Sequence, residues 1–143
     1  MFSDTQHRGA IMICPVCGSE KDKISITNNI VEKHWFGIPF RYQEKLNTCS
    51  WCGSEGDFTG VNDIKITDAI DAVRTKYGQG YIEGIMENHN LSPVSIDRLL
   101  GLDIGTTSKM QNNDVKQIEF LFFRLLKEYP QVLKVLERWK LEP

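Results

Sequence analysis

Two pairs of cysteines in the first third of the chain constrain its fold more than any other feature. Cys14 and Cys17 are separated by two residues, Cys49 and Cys52 repeat that spacing, and glycine follows each pair. A C-x-x-C turn followed by a residue that tolerates positive φ presents two thiolates to one metal ion. Two such turns supply four ligands, which leaves no open coordination position for catalysis. The pattern predicts one structural zinc ion held by Cys14, Cys17, Cys49 and Cys52.

Disulfide bonds or free thiols are the alternative explanation of these four cysteines. Residues 1–10 are polar and lack the apolar core of a signal peptide. No apolar run approaches the roughly 20 residues that a membrane span needs. We therefore expect a cytoplasmic protein, in which disulfides are rare and zinc is favoured. The sequence pattern of a folded domain begins at Met12. Residues 1–11 are therefore interpreted as a disordered leader or as the result of a misassigned start codon.

The residues between the cysteine pairs favour strands over helices. Runs of apolar residues predict two antiparallel strands in a small sheet that carries the zinc at one end. The first strand contains Ile24, Ile26, Ile30 and Val31, and the second contains Phe40, Tyr42 and Leu46. A module of residues 12–56 is too small to bury much core, so we expect zinc binding to supply most of its folding free energy.

Aromatic residues cluster around the predicted turn between these strands. His34, Trp35, Phe36 and Phe40 are close in sequence, and such a cluster is either the small core of the module or a patch that binds a partner. Trp35, Phe36 and Phe40 are the candidate partner-binding residues. His34 is also a possible metal ligand, although four cysteines already complete the coordination of zinc.

The pattern of apolar residues becomes helical in the second half of the chain. Gly and Asp are frequent after the second cysteine pair, which predicts an inter-domain linker over residues 57–66. A helix is predicted from Thr67, and Gly78-Gln79-Gly80 is predicted to break it before a short helix over residues 81–88. The helical domain is therefore assigned to residues 67–143.

The next predicted helix has a capped start and a glycine stop. Ser92 suits the N-cap position, and Pro93 suits the first helical position. Leu91 and Ile96 stand where a hydrophobic staple closes a helix N-terminus. Gly101 then ends the helix.

A second short helix is predicted directly after this stop. Asp103 is expected to cap it, and it is expected to run from Ile104 to about residue 111. Two short helices joined by a turn that begins with glycine are the signature of a helix-turn-helix motif. Such proteins often pair to read two half-sites, so we expect DNA binding and a homodimer through the C-terminal domain.

Two more helices complete the predicted helical domain. One covers residues 115–128, and Pro130 opens the last. The residues of the first that are expected to point inward are Ile118, Leu121, Phe122 and Leu125, and its apolar face is widened by Phe120, Phe123 and Leu126. So wide an apolar surface is either core or, in part, a dimer interface. The predicted fold class is α+β: a small zinc-bound antiparallel β module followed by an all-α five-helix helix-turn-helix domain.

The order of these parts resembles the MqsA/YgiT type of antitoxin over residues 12–141. That family joins an N-terminal CxxC…CxxC zinc domain to a C-terminal helix-turn-helix of the Cro/repressor (XRE) class. The knuckle separation matches, as do the runs Leu91-Ser92…Leu100-Gly101 and Ile118…Leu125-Leu126…Tyr129-Pro130…Leu133. The resemblance implies an antitoxin that neutralises a cognate toxin mainly through its zinc domain. It also implies that a dimer of the C-terminal domain binds its own promoter and represses its own operon.

The chain departs from that family's pattern where DNA would be read. The departures include Pro93, Asp97, Gly105, Thr107 and Lys109. In that family an Asn that contacts a base is typical at the position of Gly105, and Arg is typical at that of Lys109. Glycine makes no base contact, and lysine acts as a point charge rather than a bidentate donor. The candidate DNA-contacting residues are therefore Thr106, Ser108 and Lys109.

Three functions fit this sequence, and catalysis is not among them. The first is an antitoxin-type DNA-binding transcriptional regulator. The alternatives are a stand-alone repressor of a mobile element and a protein-interaction module without specific DNA binding. The net charge of −2 and Gly105 favour the last of these. His7, His34 and His89 are scattered and the metal site is closed, so we expect no enzyme activity.

Overall fold

The computed structural model describes residues 12–141, and the chain divides into two compact units, Met1–Ile70 and Asp71–Pro143. A single turn of 3-10 helix precedes the first strand. The elements are β1 (Ile24–Trp35), β2 (Ile38–Cys49), β3 (Glu55–Gly56), α1 (Val61–His89), α2 (Pro93–Leu100), α3 (Thr106–Asn112), α4 (Gln117–Glu128) and α5 (Gln131–Leu141). An antiparallel sheet followed by helices confirms the predicted α+β class. The predicted leader over residues 1–11 lies outside the described residues.

β1 and β2 form a hairpin whose register runs from Ile24 opposite Cys49 to Trp35 opposite Ile38. The two-residue turn Phe36-Gly37 has positive φ at both positions, 47° and 79°, as a type I′ turn requires. Such a turn matches the twist of the flanking strands and so sets the register of the whole hairpin. Both predicted strands are confirmed, and each is longer than the apolar run that indicated it.

One face of β2 supplies the core of the sheet. Ile38, Phe40 and Tyr42 alternate with exposed residues and are between 5% and 7% exposed. The Phe40 and Tyr42 rings stack with their centroids 6.4 Å apart. The other edge of β2 pairs with β3, in which Gly56 lies opposite Asn47. The sequence did not predict this third strand. The sheet therefore has the order β1-β2-β3, and its long first strand is an edge strand.

α1 begins at Val61 because Asp57 caps it. The Asp57 carboxylate accepts the backbone N–H groups of Val61 at 3.3 Å and of Asn62 at 2.8 Å, which satisfies two donors that a helix N-terminus leaves unpaired. The Asn62 side chain pairs with both backbone groups of Lys45 in β2, each at 2.9 Å. Residues 61–66, which the sequence assigned to a linker, are therefore the first turns of this helix.

The predicted helix break at Gly78-Gln79-Gly80 is wrong, since α1 runs through it without interruption. Gly78 is buried, and a Cβ atom built on it would lie 2.8 Å from Val115 Cγ1. α1 also holds the backbone of this valine: Arg74 Nε donates to Val115 O at 2.7 Å, and Val115 N donates to Thr75 Oγ1 at 3.2 Å. Gly78 therefore allows α1 and the segment that contains Val115 to approach closely, and it does not end a helix.

The buried face of α4 also differs from the predicted one. Its buried residues, each at most 2% exposed, are Phe120, Phe123 and Leu126. Three residues predicted to point inward are instead 78%, 40% and 54% exposed, namely Ile118, Phe122 and Leu125; Leu121 is half-buried. Both sets have helical spacing, so periodicity alone could not choose between them. The Phe120 ring packs 5.5 Å from the ring of Tyr81 in α1, and this packing is part of what selects the buried face.

Candidate metal centre and candidate nucleic-acid interface

Each cysteine pair lies on a turn with the same backbone hydrogen bonds. Gly18 N donates to Cys14 O at 2.9 Å in the first turn, and Gly53 N donates to Cys49 O at 2.8 Å in the second. A further bond closes each turn at 2.9 Å, from the N–H of its first cysteine to the carbonyl of the residue after the glycine. The two glycines have φ of 76° and 78°, a conformation that favours glycine. The turns are thus two copies of one knuckle.

The four Sγ atoms meet in one cluster, in which all lie within 4.8 Å of one another. Cys14 Sγ is 3.5 Å from Cys52 Sγ, and Cys17 Sγ is 3.6 Å from Cys49 Sγ. Disulfide sulfurs would be about 2.05 Å apart, and all four cysteines are free. A tetrahedral zinc ion with Zn–S bonds of about 2.3 Å requires sulfurs about 3.8 Å apart. The donor set and its spacing therefore fit one metal ion held by four thiolates.

Hydrogen bonds within the knuckles bias individual thiols toward the form that binds metal. The hydroxyl of Ser54, followed by its backbone N–H, lowers the pKa of Cys52 to about 6. The backbone N–H of Cys52 lowers the pKa of Cys49 against the effect of burial. At Cys14 the backbone N–H of Cys17 lowers the pKa, but burial and the neighbouring thiols outweigh it and the pKa is raised. Both thiols of the second knuckle, Cys49 and Cys52, are thus biased toward the thiolate form.

Ser19 and Ser54 support the cluster, although the C-x-x-C spacing alone did not indicate them. Ser19 Oγ lies 3.0 Å from Cys17 Sγ, and Ser54 Oγ lies 3.1 Å from Cys52 Sγ. The signal was present in the sequence, because both motifs read C-x-x-C-G-S. A hydroxyl that donates to a ligating sulfur offsets its charge and fixes its orientation.

His34 does not join the cysteine cluster. It pairs with Pro39 next to the hairpin turn, whereas Cys49 pairs with Ile24 at the other end of the same two strands. Among the described residues, the group that could hold a metal ion consists of the four cysteines. The preference for a four-cysteine site over one that includes this histidine is consistent with that placement.

The three candidate partner-binding residues differ in exposure. Phe36, in the hairpin turn, is 49% exposed, and its ring meets that of Trp35 edge-on at 4.9 Å. Trp35 is half-buried. Phe40 is 5% exposed and belongs to the core of the sheet. This placement fits the alternative in which the aromatic cluster forms the small core of the module. Trp35 and Phe36 are therefore the accessible part of the candidate patch.

Both ends of α2 are as the sequence predicted. Ser92 Oγ accepts the backbone N–H of Ser95 at 3.1 Å, and Pro93 occupies the first position. At the other end Gly101 has φ of 69°. These two signals are local, so α2 has the predicted bounds to within a residue.

α3 begins later than predicted and without the predicted cap. It starts at Thr106 rather than Ile104, and no side chain at its N-cap position, Gly105, bonds to it. Asp103 contributes only its backbone carbonyl, which accepts from Thr106 N at 3.1 Å and from Thr106 Oγ1 at 2.6 Å. The prediction that Asp103 caps this helix is therefore wrong.

The side-chain acceptor for the backbone N–H groups at the start of α3 is Asp97, which lies in α2 and is 0% exposed. Its Oδ2 accepts the N–H of Gly105 at 2.8 Å, and its Oδ1 accepts both the N–H and the hydroxyl of Thr107, at 2.9 and 2.6 Å. Burial raises the pKa of Asp97, but the bonds from Thr107 and Gly105 outweigh it and hold the pKa below its ordinary value. The carboxylate is consequently charged at neutral pH.

The candidate DNA-contacting residues lie together on α3. Lys109 is exposed, and Thr106 and Ser108 are half-buried. The hydroxyl of Thr106 already donates within the turn, which leaves it free only to accept. Charges of both signs surround Lys109, since the shallow surface beside it is lined by Thr106, Met110, Asn113, Asp114, Lys116 and Glu119.

No model of a known protein family matches this chain, and no curated protein matches it either. Among residues 12–141, no helix has both the length and the apolar character needed to cross a membrane.

Proposed function

We propose that this protein is an antitoxin-type DNA-binding transcriptional regulator with a structural zinc ion in its first unit and a helix-turn-helix in its second. The observation that carries the proposal is the presence in one chain of a paired-knuckle cysteine cluster and of a short capped helix, α2, that a glycine turn joins to a second short helix, α3. The resemblance to MqsA/YgiT-type antitoxins rests on this same order of parts.

Zinc is the proposed metal because four thiolates at tetrahedral spacing are typical of structural zinc sites. Cys14, Cys17, Cys49 and Cys52 would hold it, and the bound ion would join two knuckles that are far apart in sequence. Cys14 and Cys49 are buried, while Cys17 and Cys52 are exposed. The ion thereby supplies folding free energy to a sheet with few buried side chains.

α3 is the proposed reading helix. In a helix-turn-helix the second helix enters the major groove with its N-terminal residues toward the bases, and Thr106, Ser108 and Lys109 occupy the first turns of α3. Lys109 is the cation of this helix, so phosphate contacts from other residues must contribute much of the affinity. Lys116, exposed just before α4, lies on the same side of the domain as Lys109.

The exposed apolar stripe of α4 supports the proposed homodimer. It consists of Ile118, Phe122, Leu125 and Tyr129, which are 78%, 40%, 54% and 50% exposed. Spacings of four and three residues place Ile118, Phe122 and Leu125 on one face of α4, and Tyr129 follows at its C-cap position. An exposed apolar patch marks an interaction surface. The spacing is symmetric, so two antiparallel copies would bring Ile118 opposite Tyr129 and Phe122 opposite Leu125. A second copy of this chain is therefore the proposed occupant.

The proposed toxin surface is the turn end of the hairpin. Trp35 and Phe36 form an edge-on aromatic pair there, and aromatic side chains supply much of the binding energy at protein interfaces. Co-purification of the full chain with the product of a neighbouring gene tests this assignment. Phe36→Ala should weaken the complex, whereas Ile30→Ala, a truncation of another exposed side chain of the hairpin that is 68% exposed, should not.

DNA binding is tested by a gel-shift titration of the full chain on its own upstream region, with scrambled DNA as competitor, at two salt concentrations. Lys109→Ala should weaken binding by about 1–3 kcal/mol if Lys109 reads a base, and should lower the salt slope by about one if it meets a phosphate. Lys134→Ala, which removes an exposed charge from α5, is the matched control. Equal affinity for the upstream region and for the scrambled DNA would exclude the function as a repressor.

A protein-interaction module without specific DNA binding is the second candidate. It is favoured by the mixed charge around Lys109 and by Gly105, which provides no side chain for base contact. This alternative predicts an intact homodimer and partner complex together with no preference for the upstream DNA. The two assays above therefore separate the candidates.

A further inference from the structure

The first turn of α3 is held by a side chain from a different helix. Asp97 lies in α2, eight residues before Gly105 and ten before Thr107, and it accepts three hydrogen bonds from those two residues. Both Asp97 and Thr107 are 0% exposed. The contact between Asp97 and Thr107 lies inside the α2–α3 pair and is closed to solvent.

α3 needs such an acceptor because it has none of its own. A helix leaves its first backbone N–H groups unpaired, and a Ser, Thr, Asp or Asn at the N-cap normally accepts from them. α3 has seven residues and glycine at its N-cap position, with φ of 100° and no side-chain cap bond. An isolated helix of this length is not stable in water, so its direction depends on what holds its first turn.

The charge of Asp97 suits this role. A carboxylate at a helix N-terminus is favoured by the helix dipole and by the charge-assisted hydrogen bonds it accepts. Burying a charge is costly unless hydrogen bonds compensate it. All of the compensating bonds that Asp97 makes within residues 12–141 come from the turn and from α3. If α3 moved away from α2, a buried carboxylate would lose its partners.

We infer that Asp97 and Thr107 form a buried lock that sets the position of α3 on α2, and that Asp97 is a positioning residue for DNA reading. The part that concerns DNA rests on the proposed function, because α3 is the proposed reading helix. Neither residue is exposed, so neither contacts DNA itself. The lock acts through Thr106, Ser108 and Lys109, whose placement follows that of the first turn.

Amide hydrogen exchange of the full-length protein tests the lock without reference to DNA. Asp97→Asn replaces one acceptor oxygen by a donor that faces a backbone N–H. Exchange at the amides of Gly105 and Thr107 should then become about ten- to hundredfold faster, while Phe120 and Phe123 keep their protection. Asp103→Asn is the matched control, since Asp103 is exposed in the same turn and bonds through its backbone carbonyl.

Thr107 provides a second and milder pair of variants. Thr107→Val removes only the hydroxyl that lies 2.6 Å from Asp97 Oδ1, and Thr107→Ser keeps a hydroxyl there. We expect faster exchange at the start of α3 in the first variant and near-normal exchange in the second. Unchanged exchange at Gly105 and Thr107 in both Asp97→Asn and Thr107→Val would overturn the lock. Global unfolding of both would also overturn it, since it would assign Asp97 to the stability of the whole unit.

DNA affinity separates a positioning role of Asp97 from a purely structural one, which would leave the DNA specificity of the folded protein unchanged. With variants shown to be folded by circular dichroism, the ratio of specific to non-specific affinity should fall about tenfold for Asp97→Asn. Non-specific affinity should stay unchanged, because no charge on the proposed DNA face is altered. If the wild-type protein binds no DNA specifically, the proposed function is refuted. The hydrogen-exchange experiment would still show whether Asp97 and Thr107 hold α3 on α2. Altered exchange in α3 with an unchanged specificity ratio would overturn the positioning role.

Discussion

Replacing Gly78 by alanine should destabilise the protein, although alanine is the better helix former. In an unobstructed helix interior, Gly→Ala stabilises by about 1 kcal/mol. At Gly78 the new Cβ would lie 2.8 Å from Val115 Cγ1, with two further atoms of the same side chain at 3.2 and 3.3 Å. These atoms belong to a branched, fully buried residue, not to the flexible end of a long side chain.

Val115 has little room to move away from the added methyl group. Its carbonyl accepts from Arg74 at 2.7 Å, and its N–H donates to Thr75 at 3.2 Å. Overpacking of this kind typically costs about 1–3 kcal/mol. Set against the helix-propensity gain of about 1 kcal/mol, the net effect of Gly78→Ala should be a destabilisation of up to about 2 kcal/mol.

Gly80→Ala is the matched control, because Gly80 lies in the same helix and a Cβ atom added to it would have no neighbour within 4 Å among residues 12–141. It should stabilise by about 0.5–1 kcal/mol. Urea unfolding followed by helical circular dichroism measures the free energy of unfolding of each variant. In the double variant with Val115→Ala, part of the Gly78→Ala cost should disappear. If Gly78→Ala stabilises as much as Gly80→Ala does, the close packing argument is refuted.

Three further predictions concern the metal, the buried carboxylate and the exposed stripe. Elemental analysis should find about one zinc per chain, and chelation should melt the sheet while the helical signal of the second unit persists; iron in place of zinc, or less than half an equivalent of any metal, would contradict this. Because its folded pKa is lowered, Asp97 contributes stability that is present above its unfolded pKa of about 3.9 and is lost as pH falls through the folded value. Unfolding measured between about pH 2 and 6 should show this acid-dependent component in the wild type and lack it in Asp97→Asn. Ile118→Glu should shift the protein toward monomer in analytical ultracentrifugation with little change in the stability of the fold, since Ile118 is 78% exposed, whereas Lys134→Glu should leave the oligomeric state as it is.

Features that depend on a few neighbouring residues could be predicted from the sequence. The two C-x-x-C-G turns form because a positive φ after the second cysteine is accessible to glycine, and their shared spacing predicts that the four sulfurs meet. The ends of α2 were predictable for the same reason, since Ser92 and Gly101 act on backbone groups within a few residues of themselves.

Features that depend on contacts between distant segments were decided by the tertiary structure. Gly78 has the sequence signature of a helix break, but the arrival of Val115 against α1 makes glycine a requirement of packing inside a continuous helix. Two apolar stripes of α4 compete at the same period, and the neighbouring ring of Tyr81 is part of what selects the one that is buried. The start of α3 depends on Asp97, a carboxylate whose partners lie eight and ten residues away. Hydrophobic periodicity and capping rules describe only near neighbours along one element, so they carry no information about which distant backbone groups a buried side chain will meet.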